Sequence, residues 1–164
     1  MEDDLLLRYS RQILLPEVDL DGQVRLTQSK VLLVGVGGLG SVVGIYLAAA
    51  GVGSITLVDH DKVELSNLQR QIAYSTSDIG SKKVNSAKKR MLAINPTIEV
   101  EMVDHVLAEK DFSRLLPDVD LIVDATDNFE SRFLINRHSL IHKKPLVSGA
   151  AIRLEGQVTV FNID

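Results

Sequence analysis

Hydrophobic and polar positions change period several times along this chain. Behind Asp3 and Asp4, either of which can cap a helix, Leu6, Tyr9 and Ile13 recur at helical spacing until Pro16 stops them. Asp21-Gly22 punctuates the chain, and a second short helix is expected to reach Ser29. Val31 to Val34 is an unbroken apolar run ending at glycine, the pattern of a strand buried on both faces. Leu39, Val42, Val43, Tyr46, Leu47 and Ala50 then fall at helical intervals and predict a helix with one wide apolar face, closed by Gly51 and Gly53. Ile55 to Val58 is the next strand.

Residues 59 to 80 are polar and turn-rich without a period, and a loop of that length is usually functional or disordered. Helix returns over Ser81 to Ile94 with Val84, Ala87, Met91 and Ile94 inward, and Asn95-Pro96 closes it. Ile98 to Val103 reads as a strand with Val100 and Met102 on one face. Asp120 to Asp124 is a buried strand, Asn128 to Ile141 a helix, and Pro145 to Val147 a strand. Gln157 to Phe161, after Glu155-Gly156, has strand composition and is expected to pair antiparallel. Strands alternating with helices imply an α/β doubly wound, mostly parallel sheet over residues 30–164, preceded by a helical arm over 1–29.

Composition narrows the function. The chain has 164 residues, no repeat and no linker, so one domain is expected. It has no cysteine, which excludes a disulfide framework, a thiolate zinc site, and thioester or persulfide chemistry within these residues. Eighteen Lys and Arg against 22 Asp and Glu leave a net charge of −4, which offers nothing to nucleic acid or an anionic membrane. The start Met1-Glu2-Asp3-Asp4 is acidic where a targeting peptide would be basic. The uncharged stretch from Val31 to Val58 is long enough to span a bilayer, but seven glycines interrupt it, and strand, turn and helix explain it better. A cytoplasmic protein is expected.

Gly35-Val36-Gly37-Gly38-Leu39-Gly40 lies where the first strand turns into the first helix, which makes the fold Rossmann-like. Glycines there allow a tight turn, and bare N–H groups at the helix N-terminus can cradle phosphate; the plain alternative is a turn that only packs closely. Asp59 follows the second strand, where an acid accepts from ribose hydroxyls; that placement also suits NAD and keeps a dehydrogenase open. Asp61, Asn67-Leu68-Gln69-Arg70, Lys83 and Asp124-Ala125-Thr126-Asp127-Asn128 add charge at the same sheet edge. An Arg, a Lys and an acid beside a phosphate loop suit a triphosphate with a divalent metal. Taken singly, Lys83 fits the solvated face of Lys82, Lys88, Lys89 and Arg90, and Asp127 fits a helix cap. His138 and His142 stand four apart on a predicted helix but lack a third ligand, and His60 and His105 carry no mechanism. No serine sits in a G-x-S-x-G elbow, so an α/β-hydrolase is excluded.

Taken in order, Arg8-Tyr9-Ser10-Arg11-Gln12, the glycine loop, Asp59-His60-Asp61, Ser66-Asn67-Leu68-Gln69-Arg70-Gln71, Lys82-Lys83, Asp124-Ala125-Thr126-Asp127-Asn128 and Ser148-Gly149-Ala150 resemble the ThiF/MoeB/HesA family. These are bacterial relatives of ubiquitin-activating enzymes, and the likeness, which spans nearly the whole chain, is closest to the molybdopterin-synthase and thiamine sulfur-carrier adenylyltransferases. It implies one ATP-binding adenylation domain over residues 1–164. There Mg-ATP and the C-terminal Gly-Gly carboxylate of a ubiquitin-like sulfur-carrier protein give an acyl-adenylate and pyrophosphate. By the same resemblance Gly38 faces the phosphates and Asp59 the ribose, and Ser66, Asn67, Leu68, Gln69 and Arg70 line the nucleotide. Asn67 and Arg70 hold the triphosphate, Lys83 holds phosphate, and Asp127 binds Mg²⁺ with Asn128 beside it. Arg11 is expected to enter the neighbouring subunit's site, which makes a homodimer the catalytic unit.

This sequence departs from the family in lacking the two CxxC pairs that commonly bind structural zinc, and the catalytic cysteine of some members. The chain is accordingly expected to be a fragment, with any zinc in a missing C-terminal part. If that part carries the groove for the carrier, this piece turns over poorly. Two other readings stand beside adenylation. An NAD-dependent oxidoreductase is supported by the glycine loop and Asp59 but not by Arg70, Lys83 and Asp127. A non-catalytic scaffold relative is opposed by the retention of every charged site position.

Overall fold

The computed structural model describes residues 2–163. The N-terminal arm is α1 (Asp3–Arg8), α2 (Ser10–Ile13) and α3 (Asp19–Gln28). β1 (Lys30–Val34) leads through α4 (Gly38–Ala50) to β2 (Ser54–Val58), and α5 (Lys83–Ile94) leads to β3 (Glu99–Val103). Then come α6 (Glu109–Leu115), β4 (Leu121–Asp124), α7 (Phe129–Ile141), β5 (Leu146–Ile152) and β6 (Glu155–Phe161).

The six strands form one sheet in the order β3-β2-β1-β4-β5-β6. β1 to β5 run parallel, and β6 returns antiparallel from Ile152↔Glu155 to Leu146↔Phe161. β1, β2 and β4 are central and covered on both sides, which is why β1 and β4 read as apolar runs and why Thr56 of β2 is buried with its apolar neighbours. On one face Leu33, Ile55, Leu57 and Val123 pack with Val84, Ala87 and Met91 of α5. On the other, Leu32, Val34, Ile122 and Leu146 pack with Phe112, Leu116 and Ile135. The uncharged stretch from Val31 to Val58 is therefore β1, α4 and β2. Among the described residues no helix is long and apolar enough to cross a membrane.

Local pattern and structure part in five places. The first predicted helix is broken at Tyr9 (φ −100°, ψ 9°), with Asp3 and Asp4 in its first turn and Glu2 at the cap position. Tyr9 is pulled inward: its ring lies over Gly51 and its hydroxyl accepts from Asn95 Nδ2 at 2.8 Å, while Leu6 stays exposed. Gly22 lies inside α3 and does not mark its start.

The buried face of α4 is Gly40, Ser41, Gly44 and Ala48, whereas Leu39 and Tyr46 of the expected apolar stripe are exposed. Small residues are required because the helix lies so close to β1. A Cβ on Gly40 would overlap the Gly35 carbonyl, and one on Gly44 would press on Leu33 at 3.3 Å. On β3, an edge strand, Val100 and Val103 are buried and Met102 is exposed. α6 was invisible in the periodicity, although Leu107, Phe112 and Leu116 on and around it fill the second core.

Candidate functional site

Successive connections leave β1 and β4 in opposite directions, and the cleft at their C-terminal ends is where open α/β sheets bind ligands. The residues that follow these strands are pressed together. Gly35 has φ +86°, and a Cβ on it would come 2.7 Å from the Ala125 carbonyl oxygen, so only glycine fits. Gly35 N–H donates to Val58 O at 2.8 Å and Ala125 N–H to Val34 O at 2.8 Å, which ties the ends of β1, β2 and β4.

Val36, fully buried, is held through both of its peptide groups. Its N–H donates to Asp59 Oδ2 at 2.8 Å, and its carbonyl accepts from the Tyr74 hydroxyl at 2.6 Å. Asp59 Oδ1 also accepts from Asp61 N–H at 2.9 Å. Asp59 thus braces the glycine loop, and each oxygen retains a lone pair.

The structure removes Lys83 from the solvated lysine face. It is the first residue of α5 and only 6% exposed. Its Nζ donates to Asp61 Oδ2 at 2.8 Å and its N–H to Asp61 O at 3.0 Å. That hydrogen bond and the ammonium's charge hold the Asp61 carboxyl below the usual carboxylate range.

Asn67 ends a short 3₁₀ turn, Leu65–Asn67, where its Oδ1 accepts from Glu64 N–H at 3.1 Å. The next turn carries Arg70 over the glycine loop. Its Nε lies 3.6 Å from where a Gly38 Cβ would stand, and Nη1 donates to Ser66 O at 3.2 Å. Ser66 and Gln69 are exposed, and Leu68 packs against the core, so of this run Arg70 has its side chain on the glycine loop. Buried Gln71 lies behind Gly37, with its Oε1 unpartnered.

Past β4, Asn128 caps α7 by accepting from Ser131 N–H at 2.9 Å, so the cap belongs to Asn128 and exposed Asp127 is not needed for it. Buried Asp124 shapes this loop. It accepts from Thr126 N–H at 3.0 Å, Thr126 Oγ1 at 2.6 Å and Ser148 Oγ at 2.8 Å. Arg132 Nη2 donates to Gly149 O at 2.9 Å and to Thr126 O, which ties the loop to β5. Sequence reasoning assigned no role to Tyr74, Gln71, Asp124 or Arg132. An acid closing the apolar run of β4 was the one local signal among them.

Arg11 is at the other end of the molecule from its own glycine loop. It is exposed on α2, whose neighbour Gln12 donates to Ala50 O at 3.1 Å at the C-terminal end of α4. A helix of 13 residues puts that end about 18 Å from Gly38.

His138 and His142 do not form a metal pair. His138 is buried, stacked on Phe112 at 4.2 Å, with Nε2 2.6 Å from Glu109 Oε2. Among the described residues, Asp59, His60 and Asp61 group in the manner of metal ligands. Asp59 is engaged by backbone N–H groups and Asp61 by Lys83.

Residues 9–164 match the ThiF family. The chain is 49% identical over 158 residues to the molybdopterin-synthase adenylyltransferase of Haemophilus influenzae, covering 96% of this chain and 65% of that protein. The chain thus spans just under two thirds of this relative's length. A crystal structure of PaaA superposes with a TM-score of 0.85 at 32% identity, covering 96% of this chain and 51% of that one. The crystal structure of E. coli MccB with ATP gives a TM-score of 0.78 at 28% identity, covering 89% and 46%.

Proposed function

The chain belongs to the ThiF family, and on that premise we propose that it is the adenylation core of an ATP-dependent adenylyltransferase. Its substrate is the C-terminal Gly-Gly carboxylate of a ubiquitin-like sulfur-carrier protein, and its products are an acyl-adenylate and pyrophosphate. The observation that carries the reading is the Arg70 side chain lying against Gly38. A cation over a glycine cradle suits a triphosphate, whereas a dinucleotide needs mainly neutral contacts there.

Attack by a carboxylate on the α-phosphorus brings two anions together, so neutralisation and in-line positioning supply most of the rate. The carboxylate is ionised at neutral pH and needs no general base. Arg70 and Lys83 offset phosphate charge, and Asp59 accepts from the ribose through the lone pairs that the glycine loop leaves it. Asn67, fixed in its turn, presents its amide nitrogen to the phosphates, while Ser66, Leu68 and Gln69 line the nucleotide. Mg²⁺ fits the donor set: one exposed carboxylate, Asp127, with Asn128 beside it, suits an ion that takes its other ligands from phosphates and water. When bound it would withdraw charge from the phosphate oxygens.

Because Arg11 lies at the opposite end of α4 from its own glycine loop, its assigned contact is with a partner's site. The working form is a cytoplasmic homodimer. Pyrophosphate–ATP exchange dependent on a Gly-Gly-tailed carrier, run on this chain beside a longer relative, tests the reading. Exchange that ignores the carrier's tail would overturn it.

A further inference from the structure

We propose that Tyr74 is a positioning residue that sets the direction of the Gly37 N–H, and through it the phosphate affinity of the glycine loop. The inference rests on the nucleotide reading above and adds a residue to it. Three facts meet at Val36. Val36 is completely buried, its carbonyl accepts from the Tyr74 hydroxyl at 2.6 Å, and its N–H is separately held by Asp59 at 2.8 Å. The first bond of α4 runs from Ser41 N–H to Gly37 O at 3.0 Å, so the Val36 carbonyl is not spent on the helix. The amides of the first turn are left without helical acceptors.

In a trans peptide the carbonyl and the following N–H point in opposite directions. With the Val36 oxygen drawn down to Tyr74, the Gly37 N–H is turned up toward the cleft. Glycine at 37 makes the reverse orientation accessible, since no side chain resists rotation there. That reversed plane would aim a carbonyl oxygen at the phosphates, and its partial negative charge would oppose the ligand that the cradle otherwise attracts. Tyr74 therefore selects one of two peptide orientations before any ligand arrives. Burial, with the nearby negative charges of Asp59, Asp78 and Asp61, raises the hydroxyl's pKa far above the ordinary tyrosine value, so it remains a donor throughout the usable pH range.

The test is calorimetric titration of wild type and Tyr74→Phe with inorganic tripolyphosphate and, separately, with adenosine. Tripolyphosphate affinity should fall about tenfold, the effect of losing one well-placed hydrogen bond, while adenosine affinity is unchanged. Equal tripolyphosphate affinities would overturn the assignment, as would a parallel loss for both ligands, which would mark a general loosening of the site. Should the variant fail to fold, the Gly37 amide resonance of wild type decides. It must shift on addition of tripolyphosphate, and a resonance that stays still while its neighbours move overturns the proposal. A wild type that binds neither ATP nor tripolyphosphate overturns the nucleotide reading and this assignment together.

Discussion

Lys83 and Asp61 are joined twice, by a 2.8 Å ion pair between side chains and a 3.0 Å hydrogen bond from the Lys83 N–H to the Asp61 carbonyl. The backbone bond docks the start of α5 on the segment after β2. The side-chain bond keeps the ammonium at the edge where open α/β sheets bind ligands. An isolated buried ammonium is costly, and Asp61 makes this one tolerable.

The pair has a pH signature. The Asp61 pKa is lowered on folding, so its stabilisation is present above the ordinary aspartate value of 3.8 and disappears as pH falls through the lower folded value. Wild type should therefore have a higher urea midpoint than Asp61→Asn at neutral pH, and the two should converge in acid below that value. A gap that persists in acid would assign the effect to something other than the charge of Asp61.

Asp127 and Asn128 should separate chemistry from stability. Asp127→Asn leaves the α7 cap intact, so the melting temperature and ATP binding should survive while pyrophosphate exchange collapses. Asn128→Ala removes the acceptor of the Ser131 N–H and should cost about 1 kcal/mol of stability. Full exchange activity in Asp127→Asn would strip Asp127 of its metal role.

Ligand preference is read by thermal shift. Arg70 and Lys83 offer cationic contacts that a pyrophosphate bridge uses incompletely, so ATP with Mg²⁺ should raise the melting temperature more than NAD at equal concentration. A larger shift with NAD would favour the oxidoreductase.

A shared site predicts complementation. Arg11→Ala and Asp127→Asn should each be inactive, and mixing them with subunit exchange should restore activity. Half of randomly re-paired dimers are mixed and each has one intact site, so about a quarter of wild-type activity is the ceiling. No recovery despite proven exchange would place Arg11 outside the neighbour's site.

What the amino-acid sequence determined by itself was the wiring. The apolar runs at β1 and β4 are readable because full burial on both faces removes polar alternation. The glycine loop is readable because backbone crowding, as at Gly35 against Ala125, admits no side chain and so leaves its mark in residue type. The antiparallel β6 was legible from its composition. Contacts between segments far apart in sequence had to await the fold. Tyr9 breaks the arm for a bond to Asn95, and α4 turns its small residues to the sheet, leaving Leu39 and Tyr46 exposed while Val43 and Leu47 still pack on the core. Lys83 is a member of a basic run in sequence and a buried cation in space, a distinction decided by Asp61 alone. Tyr74 carries no motif at all; its role exists only because the chain returns beneath Val36, where a buried carbonyl needs a donor.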